Sequence, residues 1–364
     1  MEPEPEPEPA DAQPEQTLAE LTADILGVLK QHKPVTAEGV DPSLHYRAPH
    51  INKQTWTALG DMIAARERSC TGSVAGERWI SLRLDGSGFS SAVRSMRRLG
   101  ILEADGFSAR FSGAMVACLR GLMEKFSGSI GFTQSDEMIL FIPPASVVRG
   151  EQQPHSRNGR VTKITTLAAG YVTSRFVMEL MHMAAERLGA ISSRGTLGAL
   201  SQVLPHFDCR MGSWSSWDEA QALLLWRGYD CSVNGVADAV HHSNIDGRKQ
   251  AVKMPTGEEL AWLASHDMLP LPPHQAYGTL LAKVKRRVEG KDPRQPDAPA
   301  VATLRSRIEA VPGPVLELAI RDALFPADDV LTGAEAEVVA EAAARKAAAK
   351  QAKAEKKAAR SEQQ

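Results

Sequence analysis

Two short segments carry side chains able to do phosphoryl chemistry. The first, Arg83-Leu84-Asp85-Gly86-Ser87-Gly88-Phe89, is the end of an apolar strand running into an aspartate and two glycines. The second, Ser135-Asp136-Glu137, is a polar knot between two apolar runs. Glycine lets the chain turn tightly and lets a ligand approach the backbone. Asp85 and Asp136 stand about fifty residues apart, and they meet at one edge if strand and knot are neighbours in a sheet. Hard carboxylate oxygens hold Mg²⁺ while its remaining positions take phosphate oxygens and water. Two such ions about 4 Å apart activate an attacking oxygen and stabilise a leaving one. Each segment alone also reads as an ordinary turn, because Asp-Gly and Ser-Asp are frequent turn pairs. Arg83 points either at the same edge or to solvent.

The elements that must position these groups are legible. Residues 78–84 alternate Ile80, Leu82 and Leu84 on one face, which predicts a half-buried strand. Met115, Leu119, Leu122, Met123 and Phe126 recur at helical spacing within 112–126. Ile130 to Phe132 and Met138 to Ile142 flank the knot as a hairpin, stopped by Pro143-Pro144. Residues 161–188 form a long helix with Ile164, Leu167, Ala168, Tyr171, Val172 and Phe176 on one stripe. A strand at 207–211 and two separate helices, 218–226 and 236–242, complete the body. The order β-α-β-β-α-β predicts an α+β fold, an antiparallel sheet with helices on one face. The expected organisation is an acidic Pro/Glu-rich disordered leader with a short helix over 1–44, and a catalytic domain over 45–290. A linker with a short helix follows over 291–333, with Pro293 to Pro299 as its proline-rich part, and an Ala/Lys-rich charged helical tail over 334–364.

Composition sets the outer bounds. The chain has 364 residues, 42 Lys+Arg against 44 Asp+Glu and a formal net charge of −2, so bulk positive charge does not drive any grip on nucleic acid. Cys70, Cys118, Cys209 and Cys231 have neither zinc nor disulfide spacing, which points to a reducing compartment. No apolar stretch is long enough to span a membrane, and the leader lacks the basic and apolar parts of a signal peptide. The expected compartment is the cytoplasm, although nothing in an acidic leader bars the nucleus or a mitochondrion. There is no P-loop and no complete dinucleotide fingerprint. His155, His241 and His242 have no partners at metal spacing and read as turn or surface residues, and Trp56, Trp79 and Trp226 read as packing residues.

RLDGSGF, FTQSDEMILF, FDCR and WRGYDCSVN occur in that order, joined by LGDM at 59–62, RVTKITTLAAGYVTSRF and YGTLLAKVKRR at 277–287. Together they resemble the tRNA(His) guanylyltransferase family and its Thg1-like relatives over about residues 46–290. The resemblance implies a polymerase palm-like domain that adds nucleotides to the 5′ end of tRNA in the 3′→5′ direction. The end is first activated with ATP or GTP, then attacked by the 3′-hydroxyl of the incoming nucleotide. It implies Asp85 and Asp136 as catalytic carboxylates binding two Mg²⁺ ions, with the Gly86 carbonyl as a further ligand. It implies nucleotide contacts from Asp85, Gly86, Ser87, Gly88, Phe89, Ser90, Ser135 and Asp136, and phosphate contacts from Arg160 and Lys163, one helical turn apart. Glu137 and Asn234 are further candidates. The partners implied are tRNA, nucleoside triphosphates and further copies of the chain, as dimer or tetramer, with no membrane.

The sequence also departs from the family pattern. Where eukaryotic members carry His-Ile-Asn-Asn, this chain has Ser232-Val233-Asn234-Gly235, and positions 87 and 90 are both serine. This points toward the Thg1-like branch, which repairs several truncated tRNAs, and away from dedicated addition of one G to tRNA(His). The rival readings are another palm-domain nucleotidyl transferase or cyclase, and a non-catalytic tRNA-binding relative.

Overall fold

The computed structural model describes residues 16–32, 51–103, 106–188, 198, 204–243, 245–291 and 300–361. The expected extended leader and the proline-rich part of the linker fall outside the described residues.

Side-chain caps start several of the helices. α1 (Leu18–Gln31) opens on a capping box between Thr17 and Glu20. α2 (Lys53–Ser69) is capped by Asn52, whose side chain accepts from the Thr55 N–H at 2.8 Å. β1 (Trp79–Ser87) leads into α3 (Phe89–Arg98), and α4 (Ala109–Phe126) is capped by Ser108. β2 (Ile130–Gln134) and β3 (Glu137–Ile142) form the expected hairpin, followed by the small β4 (Val147–Val148) and β5 (Glu151–Gln152) pair. α5 (Val161–Leu188) and β6 (His206–Trp214) come next. α6 (Trp217–His242) is one continuous helix, not the two short ones expected. Its glycines do not break it, because neighbours use the space: a Cβ on Gly228 would sit 2.9 Å from the Val315 Cβ, and one on Gly235 only 2.3 Å from the Gln275 carbonyl. The short α7 (Arg248–Ala251), α8 (Thr256–Ser265) and α9 (Pro273–Ala276) follow. The chain then runs through β7 (Thr279–Gly290), β8 (Val301–Val311), α10 (Val315–Ile320) and α11 (Gly333–Ser361). Val301–Val311 is therefore a strand within the span expected as a linker with a short helix, and α10 is a short helix in that span.

The chain divides into two compact units, the first holding Met1–Leu281 and Ala310–Leu324. Its core is an antiparallel sheet ordered β6-β1-β3-β2, continued by the adjoining ends of β7 and β8. β1 pairs with β3 from Ile80↔Ile142 to Asp85↔Glu137 and with β6 from Trp79↔Trp214 to Ser87↔His206. α4 and α5 supply the expected helical face. A second layer, α2 and α6, covers the other face, where Trp217 meets Phe141 edge-on and the Trp214 indole donates to Ser81 Oγ at 3.0 Å. Strand β1 is consequently buried on both sides, Ser81 and Arg83 as well as Ile80, Leu82 and Leu84. On α5, Leu167 leaves the expected apolar stripe and is 42% exposed.

Arg83 points neither to the sheet edge nor to solvent. Its guanidinium is buried against the Glu67 carboxylate of α2 in a two-pronged pair, Nε–Oε1 2.9 Å and Nη2–Oε2 2.5 Å. Burial acts to lower its pKa, but Glu67 outweighs that and holds it above the ordinary arginine value.

The second unit holds Ala282–Glu309 and Phe325–Gln364. Here Arg286 binds Glu309 at 2.7 Å and Asp329 at 3.2 Å, and the Asp329 N–H donates to the Lys285 carbonyl at 3.0 Å. Arg287 binds Glu335 at the start of α11.

Removing one member of a buried pair strands the other charge, at a cost of about 3–5 kcal/mol. Glu67→Ala should lower unfolding stability by that amount, whereas the double replacement Glu67→Met/Arg83→Met should cost clearly less. Urea unfolding of both variants checks this, and equal losses would contradict it.

Candidate active site

The sheet register brings Asp85 and Asp136 to one place. Asp85 lies opposite Glu137 in β3, and Asp136 is the residue just before, in the two-residue turn between β2 and β3. Both carboxylates line one cavity of about 300 Å³, together with Gln134, Ser135, Glu137, Arg227, Asp230 and Asn234. Ser135 reaches the turn at a positive φ of 52°, and its hydroxyl donates to Asp136 Oδ1 at 3.2 Å. Burial pushes the Asp136 carboxyl above the usual carboxylate range, and the Asp85 charge pushes the same way.

Gly86 makes this approach possible. A Cβ there would lie 2.8 Å from the Asp136 Cβ and 2.5 Å from the Phe89 ring. Gly88 caps α3 at φ +71° with no side-chain hydrogen bond, so the first N–H groups of that helix lack a side-chain acceptor. Phe89, expected to contact nucleotide, is an anchor as well: its ring is 2% exposed and packs against Phe111, Phe176 and Phe207. Ser87 and Ser90 are exposed beside it.

Glu137 and Asp230 are both held by Arg227, the latter at 2.9 Å, and Asn234 Nδ2 donates to Asp230 at 2.9 Å. Arg227 is itself buried, 5.2 Å from the Trp226 ring centroid. These four residues form a braced wall of the cavity.

A second cavity, of about 500 Å³, shares Ser135, Asp136 and Asp238 with the first. Its lining adds Ser90, Arg94, Arg97, Phe107, His241 and His242. Arg94, Arg97 and Asp238 were not foreseen. Charges at i, i+3 on a short helix look like any solvated face until the fold shows what they border. His241 and His242, read as surface residues, end α6 at this cavity, one turn beyond Asp238, whose carboxyl is raised by burial.

Arg160 and Lys163 are not brought to this place. Both are exposed and line neither cavity. Arg160 precedes α5 with an extended backbone and bridges to Ser73, so it does not share a helical face with Lys163 as expected.

Among the described residues no group of three or more His, Cys, Asp or Glu side chains converges to hold a metal. The donor set nevertheless suits Mg²⁺, which is commonly held by one or two carboxylates with substrate phosphates completing its shell.

Comparison with known proteins decides the class. The family model described as tRNAHis guanylyltransferase, Thg1, matches residues 65–214. Over those residues the chain is similar to the tRNAHis guanylyltransferase family. The match runs from α2 through β6 and includes both aspartates, which makes this chain an enzyme of the nucleotidyltransferase class. The Uncharacterized protein R259 of Acanthamoeba polyphaga mimivirus is 28% identical over 235 residues, covering 62% of this chain and 77% of that protein. A bacterial tRNA(His) guanylyltransferase-like protein solved in complex with ATP superposes with a TM-score of 0.50 at 16% identity, covering 73% of this chain and 99% of that one. That likeness supports the antiparallel α+β fold. The Saccharomyces cerevisiae tRNA(His) guanylyltransferase gives a TM-score of 0.45 at 18% identity over 60% of this chain and 91% of that one.

Because Asp136 binds its proton more tightly in the folded state than unfolded, its charge costs stability above the folded pKa. That cost disappears as pH falls toward the ordinary carboxylate value. In chelator, Asp136→Asn should therefore melt at a higher temperature than the parent at pH 7.5, with the gap closing near pH 4. A lower melting temperature, or a gap independent of pH, would contradict the placement.

Proposed function

We propose that this chain adds nucleotides in the 3′→5′ direction to the 5′ end of tRNA, by activation of the end with ATP or GTP and subsequent nucleotidyl transfer. The observation that carries the reading is the shared cavity of Asp85 and Asp136, at the motif positions expected for the family. Asp85, Asp136 and the Gly86 carbonyl would hold Mg²⁺, which neutralises triphosphate charge and lowers the barrier to attack at phosphorus. The uncapped start of α3, at Gly88, Phe89 and Ser90, offers backbone N–H groups suited to phosphate oxygens. Ser135 fixes the Asp136 carboxylate from the side, and Arg227 keeps Glu137 and Asp230 turned toward itself.

Two adjoining cavities fit a reaction of two substrates. The larger, bordered by Arg94 and Arg97, suits the nucleoside triphosphate, and the smaller contains the carboxylates where the second reactant must arrive. In this arrangement the phosphate cations are Arg94 and Arg97 rather than Arg160 and Lys163. The altered Ser87, Ser90 and Ser232 support the repair branch, with several truncated tRNAs as substrates, over a single tRNA(His). Assembly as a dimer or tetramer is part of the same reading.

The direct test is an addition assay with 5′-truncated tRNAs, labelled nucleotides and Mg²⁺. Asp85→Asn and Asp136→Asn should each lower addition by at least about 100-fold while the protein stays folded. Activity retained in either would remove the carboxylates from the chemistry. A charged hydrogen bond contributes about 1.5–3 kcal/mol, so Arg94→Ala should raise the KM for the triphosphate roughly tenfold or more. The pair Arg160→Ala and Lys163→Ala should leave it within about twofold, and the reverse ranking would return the phosphates to α5.

A further inference from the structure

α11 has features that helix stability alone does not require. Between Arg345 and Arg360 it carries seven cations and a single acid, Glu355, in a chain whose formal net charge is −2. Lys346, Lys350 and Lys353 are exposed, and steps of four and three set them on one face. The stripe from Lys346 to Lys353 is about 10 Å long at 1.5 Å per residue, and Lys357 and Arg360 follow at the same spacing in the sequence. Neighbours along the stripe are like charges at i, i+3 and i, i+4, which repel. A solvated helix built only for stability would alternate the signs. Among the described residues, Arg345 has an acid partner one turn away in Glu341, while no ion pair reaches Lys346, Lys350 or Lys353.

The helix tolerates this repulsion because alanine has the highest helix propensity and fills the other positions. Residues 340–355 are exposed throughout, so α11 contributes no face to a core. Its start is nevertheless fixed: Glu335 accepts from the Thr332 N–H at 2.9 Å and binds Arg287 of β7. The strands of the same unit add exposed Lys283, Lys285, Arg305 and Arg307.

We propose that α11 is a polyanion-binding arm whose lysine stripe grips the phosphate backbone of RNA. An evenly spaced row of unpaired cations gains by displacing the counterions of a polyphosphate. An anionic membrane is the poorer fit, since interfacial helices need a face of Trp, Phe or Leu and residues 340–361 have none. The proposal depends on the reading of the active site only for the choice of probe.

The test measures equilibrium binding of a 5′-monophosphorylated tRNA transcript to the full chain over a KCl series. The variants are Lys346→Glu/Lys350→Glu/Lys353→Glu and the corresponding triple Gln variant, with circular dichroism to confirm that α11 stays helical. The Glu variant should bind at least about tenfold more weakly near 0.1 M salt, and its log K against log [salt] slope should flatten by about 2–3. The Gln variant should show a smaller change in the same direction, and kcat at saturating RNA should match the parent. Unchanged affinity and slope in both variants would overturn the proposal, as would tighter binding to phosphatidylserine vesicles than to the transcript. If the parent binds RNA through the stripe but adds no nucleotide, the arm stands and the catalytic reading falls. If addition proceeds with the stripe immaterial, the reverse holds.

Discussion

The structure depends on the register in which β3 is paired between β1 and β2. Asp85 opposite Glu137 on one side and Gln134 opposite Glu137 on the other put Asp136 next to Asp85 at the strand ends. A slip of one residue would send every side chain of β3 to the opposite face. The register is secured by burial on both faces of β1 and by Arg227, which takes Glu137 from the α6 side. The absence of a side chain at Gly86 then leaves room for the Asp136 side chain and the Phe89 ring beside β1.

That placement has an energetic cost that the surroundings absorb. Two carboxylates share a half-buried cavity, where burial first and the Asp85 charge second hold the Asp136 carboxyl above the usual carboxylate range. A rigid frame is needed to hold them there: the Phe89, Phe111, Phe176 and Phe207 rings beneath the turn, and the Glu67–Arg83 pair inside the sandwich. A ligand bearing compensating positive charge, or a metal with phosphate, would relieve the strain. Carboxylates clustered in this way suit a divalent cation whose remaining positions take phosphate oxygens.

Much of this was legible in the amino-acid order. Alternation in 78–84, helical spacing in 112–126 and the hairpin closed by Pro143-Pro144 are local patterns, and they survived in place. The carboxylate pair was visible because each aspartate ends or turns a strand. What escaped was tertiary. Gly228 and Gly235 look like helix breakers, yet they admit Val315 and the Gln275 carbonyl against one unbroken helix. Arg83 looks half exposed by alternation, but α2 brings Glu67 over it. Arg94 and Arg97 look like a solvated face, whereas they border the cavity at Asp136. Arg160 and Lys163 were chosen by motif, and they line neither cavity.

On the proposed reading, Asp85 and Asp136 act together on divalent cations and phosphate. Electron paramagnetic resonance titration of Mn²⁺ in the presence of a non-hydrolysable nucleoside triphosphate tests it most directly, without relying on turnover. The parent should bind two ions per chain, and both Asp85→Asn and Asp136→Asn should lose tight binding. Identical Mn²⁺ binding in the parent and in either variant would contradict it.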